Sequence, residues 1–229
     1  MPLDRFPHPP LLPSVCPLFN GRMASLLAAS QVVSRAEMYR RSQPCDILLT
    51  ITPDYFLHDP FRKVCNKIFR LVLATPYTSS KIYLGNDVLA GFGLNAAGGK
   101  SAIRGVSYRK YLSLLKNACL LRVPGLTGSQ QSSILRFVGQ RFGAKFDLKL
   151  IIKSFWRRVA CKLKGDVEKA GSRSPCGLKK VEIPFHTCST IISAAFFQAG
   201  IDFQPDPALV WPIDFFLSPR TTIVCRLQR

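Results

Sequence analysis

Cys188 is the residue of this chain whose type and surroundings best suit nucleophilic chemistry. It stands in the segment FHTCST, directly before the apolar run IISAAFFQAG. Apolar residues recur in that run at helical spacing, and Gly200 ends the predicted helix. A cysteine at the start of a helix meets the positive end of the helix dipole and free N–H groups, which favour a thiolate and can hold an oxyanion. From position alone, a buried cysteine that only packs is the simpler interpretation.

The cysteine spacing limits the other chemistry that this chain can perform. Eight cysteines are present, and no two of them are closer than 12 residues. This spacing argues against a zinc site, and we expect no metal or other cofactor. The N-terminal segment MPLDRFPHPPLLP contains five prolines and has no pattern of a signal peptide. We therefore expect a reducing compartment, either the cytoplasm or one that the sequence does not identify.

Periodicity and turn residues divide the chain into an irregular Pro-rich arm over residues 1–22, a helix over 23–43 and one domain over 44–229. Short apolar runs predict strands over residues 46–51, 81–85 and 119–123. The glycine-rich stretch 91–105 suggests a loop or a loose hairpin, because its G-x-G lacks the third glycine of a nucleotide-binding fingerprint. Helices are predicted from Ser129 to Gly143 and, with a basic outer face, from Lys145 onward.

The positive charge is concentrated in one part of the chain. The formal net charge is +19, and residues 100–180 hold nineteen Lys and Arg against three acids. This region is interpreted as a solvated basic surface, with binding to an anionic surface or polymer as the alternative. A nucleic acid ranks last among the partners, because aromatic residues do not alternate with the basic ones as in single-strand platforms. The apolar stretches are shorter than the roughly 18 residues of a membrane span.

Six segments, in order, resemble one family. They are PCDILLT, TPYTSSKIYLGNDVL, YLSLLKNACLLRVPGLTGSQQ, RFGAKFDLKLI, FHTCSTIISAAFFQAGIDF and WPIDFFLSP. Together they are similar to the circularly permuted papain-like cysteine hydrolases of the NlpC type, the YiiX/YaeF-like amidases. The resemblance implies an α+β fold in which a small antiparallel sheet packs against helices, with the general base earlier in the chain than the nucleophile.

Carried over by position, the resemblance assigns Cys188 as nucleophile and places Ser79 where the family has its histidine base. Two glutamate positions of the family fall on Ala90 and Thr190. A serine hydroxyl does not accept a thiol proton near neutral pH as an imidazole does. The resemblance therefore implies a hydrolase site whose acid–base partner is missing.

Other residues are candidate substitutes for the missing base or candidate binding groups. His186, two residues before Cys188, is the candidate rescue base, and His58 is a weaker one. Asp46 and Tyr83 are candidate binding residues, although a purely structural role is preferred for Asp46. The predicted function is a cysteine amidase or peptidase acting on cell-wall peptides or lipid amides and esters, impaired at the base. The alternative is an inactive binding protein that keeps the fold and docks on an anionic partner.

Overall fold

A computed structural model describes residues 25–51, 77–93, 102–144, 187–203 and 210–227. The Pro-rich arm, the basic helix predicted from Lys145, and the candidate residues His58 and His186 lie outside these ranges. The described elements are short strands and helices. Their bounds are α1 (Arg35–Arg41), β1 (Ile47–Thr50), β2 (Ser79–Gly85), β3 (Val88–Gly93), β4 (Ala102–Ser107), α2 (Tyr108–Leu114), β5 (Ala118–Arg122), α3 (Gly128–Gly139), α4 (Cys188–Gln198), α5 (Pro212–Leu217) and β6 (Thr222–Leu227).

The six strands form one antiparallel sheet in the order β4-β3-β2-β1-β5-β6. This confirms the predicted α+β class and the predicted strands at 46–51, 81–85 and 119–123.

Helices cover both faces of the sheet, and the central strand β1 is buried on both. Ile47 and Leu49 point to one face and Leu48 points to the other, as the two-residue repeat of a strand requires. The first face packs against α3, α4 and α5, and the second against α1 and α2. We call them the α4 face and the α2 face. Within the described ranges, every helix is too short or too polar to cross a bilayer.

A buried ion pair fixes the chain at the start of β1. The Asp46 carboxylate is almost fully buried and accepts hydrogen bonds from the Arg122 guanidinium at 2.7 and 2.8 Å and from the Gln43 N–H at 2.8 Å. Burial raises the pKa of Asp46, and the bonds from Arg122 oppose that change. Cys45, one residue earlier, has φ +73°. That left-handed conformation favours glycine, so a cysteine there is strained.

The helix predicted over 23–43 is divided into two parts. Residues 25–29 are helical, and α1 begins only after Ser34, whose hydroxyl accepts a hydrogen bond from the Glu37 N–H. Between them the chain is extended, because the Val33 N–H donates to the Arg226 carbonyl and the Arg226 N–H donates to the Gln31 carbonyl. Pairing with β6 therefore overrides local helix propensity.

The glycine-rich stretch 91–105 forms part of the sheet where it is described. Residues 88–93 and 102–107 pair along their whole length as β3 and β4. Helix α3 also begins earlier than predicted, because Thr127 rather than Ser129 caps it through a capping box with Gln130.

Candidate active site

Cys188 is the first residue of α4, as the sequence predicts. Thr187 caps this helix. Its hydroxyl accepts from the Thr190 N–H at 3.1 Å, and its own N–H donates to the Thr190 hydroxyl at 3.1 Å. Thr190, at a glutamate position of the resembling family, thus supplies the return half of a capping box. The N–H groups of Cys188 and Ser189 have no acceptor among the described residues, as is usual in the first turn of a helix.

Exposure distinguishes Cys188 from the other three cysteines that the structure describes. Cys45, Cys119 and Cys225 are buried, whereas Cys188 is partly exposed. Burial raises the pKa of Cys45 and of Cys119 to about 12 and that of Cys225 to about 11. A buried thiol that resists ionisation is a poor nucleophile, because the thiolate is the reactive form. Among the described cysteines, reactivity is therefore expected at Cys188.

Two serines connect β2 to the start of α4. The hydroxyls of Ser80 and Ser189 are 3.1 Å apart, and both side chains are buried. The Ser189 hydroxyl lies 3.9 Å from the Cys188 sulfur. A chain of hydroxyls thus leads from the sheet to the thiol, and none of its members is a base near neutral pH.

The strand register places Ser79 on the other side of the sheet. Ser79 pairs with Thr50, and Ser80 pairs with Leu49. Paired residues of antiparallel strands point to the same face. The Thr50 hydroxyl lies 3.3 Å from the Tyr111 hydroxyl of α2, so Thr50 and Ser79 belong to the α2 face. Of the two neighbouring serines, Ser80 is the one that contacts the helix of Cys188.

Cys188 borders a small apolar cavity. Its other walls come from β2, β3, β4, α3 and α4, and they are Ile82, Ala90, Gly91, Ile103, Val138, Ile191 and Ile192. The cavity has about 10 Å³ of space for the centre of a water-sized sphere, which is about what one water molecule needs. Ala90, the other glutamate position of the resembling family, lies in this wall. The described walls are thus apolar, and the space beside the thiol is that of about one water molecule.

The candidate binding residues Asp46 and Tyr83 are not brought to Cys188. Asp46 is held by Arg122, as described above, which agrees with the structural role preferred for it. Tyr83 belongs to the α2 face, where its ring centroid lies 5.0 Å from that of Tyr108. Binding roles for these two residues remain predictions, and both side chains have structural partners.

Lys81 is a residue near the site that sequence reasoning overlooked. Its side chain is 6% exposed. The ammonium lies 4.9 Å from the centroid of the Tyr111 ring, a cation–π contact. A Cβ on Gly91 would lie 2.8 Å from Lys81 Cγ and 2.9 Å from Lys81 Nζ, so Lys81 fills the place of the missing side chain. The sequence gives little sign of this contact, because Lys81 and Gly91 become neighbours only when β2 pairs with β3.

A larger groove lies on the α2 face, away from Cys188. It runs between α1 and α2, has a volume of about 360 Å³ and is lined by Arg35, Ala36, Tyr39, Arg40, Arg109, Leu112 and Ser113. The Arg109 guanidinium lies over the Tyr39 ring at 4.5 Å. Glu37 pairs with Arg40 and Arg41 beside it. The groove therefore combines an apolar floor with three arginines.

Comparison with known proteins gives limited similarity. No family model matches the chain, and no curated protein matches it. The fold is similar to the crystal structure of metalloprotein yiiX from Escherichia coli O157:H7, with a TM-score of 0.41 and 14% sequence identity, over 82% of this chain and 99% of that chain. Among the described residues, no three His, Cys, Asp or Glu side chains are grouped as metal ligands would be.

Proposed function

We propose that this protein is a thiol acyl-transfer protein of the permuted NlpC type, with Cys188 as nucleophile and an impaired acid–base partner. The observation that carries the proposal is the position of Cys188. It is a partly exposed thiol on the first residue of an eleven-residue helix, and the N–H groups of Cys188 and Ser189 have no acceptor in the described part of the chain, so they suit an oxyanion.

The leaving group of the acyl compound decides whether such a site can react with it. The Cys188 thiolate attacks a carbonyl carbon, and the N–H groups of Cys188 and Ser189 hold the oxygen that becomes negative. Collapse breaks the bond to the leaving group and forms a thioester, which water then hydrolyses. An amine must be protonated to leave, and this needs a general acid. A phenolate leaves without a proton, so an activated ester is expected to acylate Cys188 where an amide does not.

We therefore expect 4-nitrophenyl butyrate to release nitrophenolate in a burst and to leave a butyryl group on Cys188. Stopped-flow absorbance measures the burst, and peptide mass spectrometry locates the adduct. The matching 4-nitroanilide is expected to give no adduct, because its amine leaves only with a proton. Cys188→Ala should abolish the burst and the adduct. An undiminished burst in Cys188→Ala would contradict the proposal.

The groove between α1 and α2 favours a second candidate function, an inactive protein that binds an anionic partner. Arg35, Arg40 and Arg109 line this groove, with Glu37 as the nearby acid on α1. Its volume is within the range of sites for small molecules. In this function the Cys188 thiol has no catalytic role. Neither 4-nitrophenyl butyrate nor the 4-nitroanilide then forms an adduct on Cys188. The burst experiment thus separates the two functions.

A further inference from the structure

We propose that the ammonium of Lys81 is the cationic partner of the Cys188 thiolate, acting through the sheet at Gly91. The inference rests on the proposed function, since it assigns a charged partner to the same thiol. It adds a residue that the resemblance does not include.

The geometry of Gly91 carries the inference. On the α2 face, the Lys81 side chain lies against Gly91, with Nζ 2.9 Å from the place of a Cβ. On the α4 face, Gly91 is part of the wall of the cavity that Cys188 borders. Only the backbone of one strand separates the amine from that cavity, because Gly91 has no side chain. A charge at Lys81 therefore acts on Cys188 through a thin, poorly polarisable layer, where electrostatic interactions are stronger than in water.

Two electrostatic effects act on the Lys81 amine. Burial, the larger one, lowers its pKa, and the charge of a Cys188 thiolate opposes that change. By reciprocity, the ammonium favours the thiolate over the thiol. Each group exchanges its proton with solvent: the thiol releases one, the amine takes one up, and the pair gains two opposite charges without a change in net charge. The Tyr111 ring also favours the cationic form of Lys81.

Other charged groups near the two residues are few in the described ranges. Strand β3 carries no ionisable side chain, β4 carries the exposed Arg104, and α3 carries the exposed Arg136. Helix α2 adds Tyr111 beside Lys81 and the exposed Arg109 and Lys110. Lys81 is thus the buried cation beside the cavity, whereas the other cations are screened by solvent.

The test is the pH dependence of alkylation of Cys188 by iodoacetamide in the full chain. Lys81→Met keeps the length of the side chain and removes its charge. We expect it to slow alkylation near neutral pH about tenfold, because the thiolate is the form that reacts. Gly91→Ala should act in the same direction, because its Cβ displaces Lys81. Lys110→Met, which removes an exposed lysine from α2, serves as the charge-matched control and should change the rate by less than about twofold.

The outcomes separate this inference from the proposed function. A lowered thiol pKa in the unchanged protein that moves upward in Lys81→Met, but not in Lys110→Met, supports the pair. A lowered pKa that Lys81→Met leaves in place overturns the role of Lys81 and leaves the nucleophile intact. An ordinary thiol pKa in the unchanged protein overturns both. A loss of packing alone would not move the pH profile, and thermal unfolding of each variant checks that it is folded.

Discussion

Replacing Ser80 by histidine, with Ser189→Ala to make room for the ring, is expected to increase the rate of Cys188 acylation about 10²-fold near neutral pH. Ser80 contacts Ser189, which is 3.9 Å from the Cys188 sulfur, so an imidazole at position 80 lies within reach of the thiol. Positioned acid–base groups contribute about 10²–10⁴-fold, and the lower value allows for a ring in a buried site. The nitrophenolate burst with 4-nitrophenyl butyrate measures the rate.

The control for this variant is Ser79→His, at the position that the resemblance assigns to the base. Its side chain belongs to the α2 face, with Thr50, and we expect the acylation rate to change by less than about twofold. Ser189→Ala alone should also change little. An increase in Ser79→His without one in the Ser80→His variant would contradict the face assignment and return the base position to residue 79.

Asp46→Ala is expected to lower the free energy of unfolding by about 2–3 kcal/mol. The substitution removes the acceptor of the Arg122 guanidinium and of the Gln43 N–H. Breaking a fully buried ion pair costs about 3–5 kcal/mol, and we expect less here because the Arg122 side chain is 27% exposed and regains some hydration. Urea unfolding measures the effect.

Asp202→Ala is the matched control for Asp46→Ala, because Asp202 is an exposed carboxylate in the described chain. We expect it to change the free energy of unfolding by less than about 0.5 kcal/mol. If Asp46→Ala lowered the free energy of unfolding no more than Asp202→Ala does, the buried pair would not stabilise the start of β1. The binding role predicted for Asp46 would then be favoured over the structural one.

The elements that follow from local patterns were predicted from the sequence. Apolar runs located β1, β2 and β5, and the helical repeat after FHTCST placed Cys188 at the start of α4. The break before α1 could not be predicted, because it depends on pairing with β6, nearly 200 residues away. Likewise, β3 and β4 contain glycine, and their composition does not predict strands. They are strands because they pair with each other along their whole length.

The site was only partly predictable, for a geometric reason. A shift of one residue in strand register moves every side chain to the opposite face. The choice between Ser79 and Ser80 as the residue that faces the nucleophile helix therefore requires the register of β1 and β2, which no local pattern specifies. The burial of Lys81 depends in the same way on the absent side chain of Gly91, ten residues further along the chain.

The reactivity of Cys188 as a function of pH tests the central claim most directly. The protein is labelled with an iodoacetamide probe from about pH 5 to about pH 9, and peptide mass spectrometry gives the rate for each cysteine. A nucleophilic Cys188 labels fast below pH 7, while Cys45, Cys119 and Cys225 stay unlabelled in the folded chain, and Cys188→Ala removes the fast signal. If Cys188 reacts no faster than an ordinary thiol, with a pKa near 8.5, the acyl-transfer function is contradicted.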